Sequence, residues 1–295
     1  MNDIRIEHLR VNISDGLDLH GRALIAGPQS GAKSPVVCLP GLTRNAADFE
    51  DIAPLLADEG RDVYAFSLRG RGWSDHARDH TSYHPLTYKD DILAALDALS
   101  IEKAAFVGTS LGGIVTMLIN AAAPRRVAGA ALNDIGPDLA PEGLARIAGY
   151  VGARADGAAR KPPHATLDAA AAEIRSINEV AFPDRDTAFW LRFAARTYRQ
   201  TRAGWMLDYD PGVARAFTDA PAPPELWGPF ESLKQTPTLV VRGQLSDLLS
   251  KDIVSRMRDA HPNFDYCEVA QTGHAPTLTE PEAVNALRTF LSAID

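Results

Sequence analysis

The chain has 295 residues, 45% of them hydrophobic, with 30 Lys+Arg against 38 Asp+Glu and a net charge of −8. That length and apolar content suit one large α/β domain with an insertion, or two ordinary domains, and the acidic balance leaves no basic stripe for nucleic acid. No segment approaches 18 unbroken apolar residues and MNDIRIEHLR lacks an apolar signal core, so the expectation is a cytoplasmic protein, off the membrane, acting on a small molecule.

Residues 4–11 and 17–26 alternate apolar and polar around Asp15-Gly16, which predicts an antiparallel hairpin at a sheet edge. Short apolar runs follow at 36–39, 63–66, 104–107, 127–132, 238–241 and 264–269, several continuous enough to be buried on both faces. Cys38 and Cys267 fall within two of these runs and read as buried free thiols, too few for a disulfide framework. Helical stretches at 46–58, 87–99, 111–123, 251–259 and 281–293 separate the strands, and the last has Pro281 in its first turn. Such alternation predicts a doubly wound, mostly parallel sheet.

The rhythm breaks between 133 and 236, where the pattern is helical at 141–149, 167–180 and 187–202. The expected division is a core of residues 1–133 and 236–295 with a helical unit at 134–235. Within the latter, 153–163 reads as a loop and the proline-rich 220–224 as a stiff return.

One stretch carries chemistry on its face. In Phe106-Val107-Gly108-Thr109-Ser110-Leu111-Gly112-Gly113, a serine sits between glycines where a strand gives way to a helix. A turn this sharp strains the serine backbone, removes colliding Cβ atoms at the glycines, and presents Oγ over the unpaired first amides of the helix. Downstream, Asp247 in Gly243-Gln244-Leu245-Ser246-Asp247 and His274 in Thr272-Gly273-His274-Ala275 both follow predicted strands.

Serine, acid and histidine in this order resemble the α/β-hydrolases with a helical cap. The resemblance implies an eight-stranded, mostly parallel sheet and a reaction without cofactor or metal. It makes Ser110 the nucleophile, His274 the base and Asp247 the acid that orients it. Asp134, in Asn133-Asp134-Ile135-Gly136-Pro137, is the competitor for the acid, because some members carry theirs after the preceding strand. The backbone amides of Leu42 and Leu111 are the expected oxyanion donors. Pro40 departs from the histidine that many members have in the first of these loops.

Ser67 to Ser74, with Arg69 and Arg71, resembles a family turn of structural role. Arg44 is the candidate for a substrate carboxylate, against the plainer reading of an ion pair with Asp48. Trp190, Phe193, Trp205 and Tyr209, with Trp227, are candidates to line an apolar pocket, Trp190 and Phe193 sharing a helical face. His76, His80 and His84 recur every four residues but lie in a polar loop without a recognised zinc pattern. The leading expectation is a serine hydrolase of a small carboxylic ester or lactone. Its rivals are C–C bond hydrolysis of a β-diketone or ring-cleavage product, cofactor-independent dioxygenation, and a non-catalytic hydrolase-fold receptor. Haloalkane and epoxide chemistry is disfavoured by a serine where those enzymes carry aspartate.

Overall fold

Short runs of β-branched and apolar residues form a single eight-stranded sheet in the computed structural model, which describes residues 4–27, 31, 33–152, 162–219 and 225–294. In chain order the strands are β1 (Arg5–Asn12), β2 (Asp18–Ile25), β3 (Val36–Leu39), β4 (Val63–Phe66), β5 (Ala104–Thr109) and β6 (Val127–Asn133). After an excursion come β9 (Thr238–Gly243) and β10 (Asp265–Val269). The spatial order is β1-β2-β4-β3-β5-β6-β9-β10. β1, β2 and β4 pair antiparallel, and the rest pair parallel. Gly16, at φ +82, makes the hairpin turn predicted at Asp15-Gly16.

Helices cover both faces. α1 (Ile52–Ala57) and α10 (Pro281–Ser292) lie on one, and α2 (Pro85–Ala98), α3 (Leu111–Ala122) and α9 (Lys251–Ala260) on the other. The period-2 geometry of a strand explains why both faces must be apolar: Val36 and Cys38 of β3 enter one core cluster, and Val37 and Leu39 the other. The helix expected over 46–58 divides into a 3-10 turn, Ala46–Phe49, capped by the Asn45 side chain, and the shorter α1. Cys38 is buried and its thiol pushed up by desolvation, whereas Cys267 is only half-buried; both are free.

Between β6 and β9 the chain forms α4 (Pro141–Gly152), α5 (Leu167–Asn178), α6 (Thr187–Thr197), a hairpin of β7 (Tyr198–Thr201) and β8 (Gly204–Leu207), α7 (Pro211–Asp219) and α8 (Trp227–Glu231). Ala170, Ile174, Phe182, Trp190, Ala194 and Tyr198 give part of this segment its own buried cluster. The helix expected over 187–202 stops at Thr197. From there Tyr198–Thr201 is paired with Gly204–Leu207 across a turn in which Gly204 takes φ +124, a conformation only glycine adopts freely. The loop expected at 153–163 (apart from 162 and 163) and the whole of the 220–224 return lie outside the described residues.

Candidate active site

Ser110 stands between β5 and α3 with φ +51 and ψ −115, a strained combination for a residue with a Cβ. Two close approaches force this turn. A Cβ on Gly112 would lie 2.0 Å from the Leu39 carbonyl oxygen, and one on Gly108 would lie 2.4 Å from that of Gly112. The Ser110 amide donates to the Asn133 carbonyl at 3.0 Å, tying the turn to the end of β6.

That tie decides which carboxylate is near. Thr109 and Asn133 are register partners on adjacent parallel strands, so the next residues, Ser110 and Asp134, leave the sheet side by side. Asp134 is fully buried, at φ +56. Its Oδ1 accepts from the Gly243 amide at 2.7 Å, and its Oδ2 accepts from the Ser246 hydroxyl at 2.6 Å and from His274 Nδ1 at 2.8 Å. The other face of the imidazole meets the serine, Oγ donating to Nε2 at 2.9 Å. A carboxylate on Nδ1 keeps the proton on that nitrogen and leaves Nε2 free to accept.

The expectation that Asp247 orients His274 is therefore corrected. Asp247 is held by Arg146 of α4, whose Nη2 donates to Oδ1 at 2.9 Å and whose Nε bonds Oδ2. Its backbone carbonyl accepts from the Gly143 amide of the same helix at 2.9 Å. Burial works to raise this carboxyl, but the Arg146 hydrogen bonds and charge outweigh it and hold it below its ordinary range. Asp247 thus anchors the inserted segment to the loop after β9. Sequence reasoning passed over Ser246 and the Gly243 amide, which fix Asp134. Their only signal was position, a polar turn directly beyond a strand.

The loop after β3 passes over the serine. A Cβ on Gly41 would sit 3.8 Å from Ser110 Cβ. The Gly41 carbonyl accepts from the Arg44 amide at 3.2 Å, so the Leu42 N–H, on the opposite edge of the same trans peptide, is turned away from that bond. Leu111 opens α3, where an amide has no partner within its own helix. Leu42 and Leu111 both line the cavity at Ser110. Pro40 directly follows β3, at the start of this loop.

Arg71 braces that loop from behind. Fully buried, it donates from Nε to the Leu42 carbonyl at 2.9 Å and from Nη1 to the Arg69 carbonyl at 2.7 Å and the Tyr88 hydroxyl at 2.8 Å, with its guanidinium 4.8 Å from the Tyr88 ring centroid. Arg69 is consumed by a buried pair with Asp91. Both arginines are structural, as their resemblance implied. Because lysine cannot reproduce the planar fork, Arg71→Lys lowers kcat by about 10- to 100-fold while KM changes little. Steady-state kinetics checks this, and an unchanged kcat would remove Arg71 from any role in shaping the site.

The cavity over Ser110 measures about 510 Å³, within the range of small-molecule sites. Its walls are mostly aliphatic and aromatic, with Leu144 and Ile147 from α4, Ile174 from α5 and Phe189 and Phe193 from α6 among them. Of the residues expected to line it, Phe193, Tyr209 and Arg44 do. Trp190 is absent from the walls: it is 2% exposed in the cluster with Phe182 and Ala194, its ring centroid 6.0 Å from that of Phe193. Trp205 packs in the hairpin, its backbone bridged to His164, and Trp227 packs against α9, 5.5 Å from Arg256. Arg44 is engaged by Asp48 through Nε at 2.9 Å, donates to Thr197 Oγ1, and lies 4.3 Å over Phe193. The plainer reading of Arg44 as an ion pair is the one observed. His76 and His80 lie 3.4 and 3.3 Å from Asp210 and Asp219, and His84 caps α2 through Nδ1, so the three imidazoles go to separate partners.

Comparison with known proteins agrees with this architecture. Residues 34–281 match the family model described as alpha/beta hydrolase fold. A 3-hydroxybutyrate-oligomer hydrolase of Cupriavidus necator is 31% identical over 84% of this chain and 85% of its own. A 2-(acetamidomethylene)succinate hydrolase of Mesorhizobium japonicum is 25% identical over 99% and 98%. The crystal structure of an alpha/beta hydrolase from Novosphingobium aromaticivorans superposes with a TM-score of 0.87, at 40% identity over 99% of both chains. With the matched region running from just before β3 to the start of α10, and taking in the inserted segment, Ser110 and His274, the chain belongs to the α/β-hydrolase fold family.

Proposed function

We propose that the protein is a serine hydrolase that cleaves a small carboxylic ester or lactone through an acyl-enzyme intermediate. The observation that carries this reading is the unbroken hydrogen-bonded chain from Ser110 Oγ through His274 to Asp134, which opens into an apolar chamber. Ser110 Oγ forms a bond to the acyl carbon as its proton passes to His274 Nε2. The tetrahedral oxyanion is held by the Leu42 and Leu111 amides. The C–O bond to the leaving alcohol breaks, and that oxygen takes the proton from His274. Water then repeats the sequence, with His274 as base, and releases the acid and the free serine. Asp134 holds the tautomer and balances the imidazolium.

The Cupriavidus necator relative is named for a 3-hydroxybutyrate oligomer, and hydroxy acids joined to one another through hydroxyl and carboxyl are esters, which supports ester over other acyl substrates. The serine at the elbow argues against haloalkane and epoxide chemistry, where an aspartate must attack. The test is fluorophosphonate labelling followed by a turnover screen over esters, lactones and β-diketones. An adduct at Ser110 with ester or lactone turnover supports the reading. A labelled serine that turns over only β-diketones transfers the assignment to C–C bond hydrolysis, and an unlabelled protein would leave a ligand receptor.

A further inference from the structure

α6 presents Phe189, Arg192, Phe193, Arg196 and Thr197 to the chamber, the i, i+3, i+4, i+7, i+8 spacing of a single helical face. Two of these are basic, and with Arg44 they bring three arginines to a mostly apolar wall. Their situations differ. Arg44 is neutralised by Asp48. Arg196 donates to Asp51 at 2.9 Å and lies 3.6 Å from Glu50. Arg192 faces no carboxylate among the described residues, and it is exposed. The acids that line the chamber, Asp48 and Asp51, are those already engaged. Among the described lining residues, Arg192 is thus the arginine whose charge no carboxylate pairs, on a chain whose net charge is −8.

An unpaired guanidinium on the rim of an apolar chamber is a fork for a planar anion, which it meets with two parallel hydrogen bonds. The chamber runs from Ser110 to this rim, and Phe193, one residue from Arg192, already lies against Arg44 above the loop over the serine. We propose that Arg192 binds a free carboxylate at the end of the substrate remote from the scissile bond. The enzyme would then select esters that carry their own carboxylic acid, such as acyl esters of short hydroxy acids. This rests on the serine-hydrolase reading for its chemistry, but not for its geometry.

The experiment compares the ester dimer of a short 3-hydroxy acid, carboxylate free, with the same dimer capped as its primary amide. The expected result is that the wild-type protein prefers the free acid, and that Arg192→Gln lowers the ratio of kcat/KM for free acid over amide by about 10- to 100-fold. Arg192→Lys, which keeps the charge and loses the fork, restores part of that ratio, and added salt compresses it. Calorimetric binding of the two dimers to Ser110→Ala protein, with and without Arg192→Gln, gives the same ratio without turnover. A ratio near one in the wild type, or a ratio unmoved by Arg192→Gln in both assays, overturns the proposal. Loss of turnover on both dimers with the binding ratio intact overturns the hydrolase reading and leaves the carboxylate site standing.

Discussion

Ser110→Ala is expected to lower kcat by about 10⁶-fold while leaving the fold intact. The size follows from the way the groups act as a unit: without Oγ there is no bond to form to the acyl carbon, and the His274–Asp134 pair has no proton to move. Only the amides and the chamber remain, and general experience gives such remnants a modest advantage over water. Kinetics on purified protein, with circular dichroism to verify folding, checks this; ester turnover within tenfold of wild type would dismiss Ser110 as nucleophile. The backbone adds a second readout. At φ +51 a residue with a Cβ is strained, so Ser110→Ala keeps the strain and Ser110→Gly relieves it. The glycine variant, equally inactive, should therefore be more stable than the alanine variant by about 1 kcal/mol, after the greater entropy of an unfolded glycine is set against the relief. Urea midpoints of the two variants decide it.

The sequence made the sheet legible because local rules and burial agree there. Each short apolar run is a strand covered on both faces, and Gly108 and Gly112 are needed wherever a strand and helix approach as closely as β5, α3 and the Leu39 carbonyl do. Ser110 and His274 were legible for the same reason. The acid was not. Asp134 and Asp247 each follow a strand in a polar turn, and nothing local separates them. The distinction is made by Arg146, 101 residues before Asp247 in the chain, which claims one carboxylate and leaves the other to the imidazole. The aromatic candidates failed in a similar way. Trp190 and Phe193 are ring neighbours on α6 and pack on the same cluster, yet only Phe193 also reaches the chamber wall, where it lies under Arg44.

This division of labour gives the inserted segment two tasks. Asn45, beside the loop over the serine, donates to the Arg196 carbonyl at 3.1 Å and to Asp208 at 3.0 Å, and Asp247 grips α4. The segment that walls the chamber is therefore fastened both at the loop over Ser110 and at the loop after β9.

The competition between the two aspartates ends in opposite expectations for isosteric substitutions. Asp134→Asn preserves an oxygen for the Gly243 amide but sets an NH₂ against His274 Nδ1. The imidazole must then turn to the tautomer with its proton on Nε2, where it cannot accept from Ser110. The expected loss is about 10⁴-fold in kcat, the cost of a wrong tautomer in an otherwise intact site. Asp247→Asn leaves the Ser110–His274–Asp134 hydrogen bonds untouched, and kcat should stay within a few-fold. Its effect falls on stability. Because Arg146 holds the Asp247 carboxyl below its ordinary value, the pair contributes fully above the unfolded pKa of about 3.9 and its contribution fades as pH falls through the lower folded value. Wild type should therefore exceed Asp247→Asn in urea midpoint at pH 7, and the two curves should converge in acid. Measuring kcat and the pH dependence of the midpoint on both variants separates the roles. A 10⁴-fold loss in Asp247→Asn with near-normal turnover in Asp134→Asn would return the acid to the loop after β9, and would require His274 to turn away from the carboxylate it now meets at 2.8 Å.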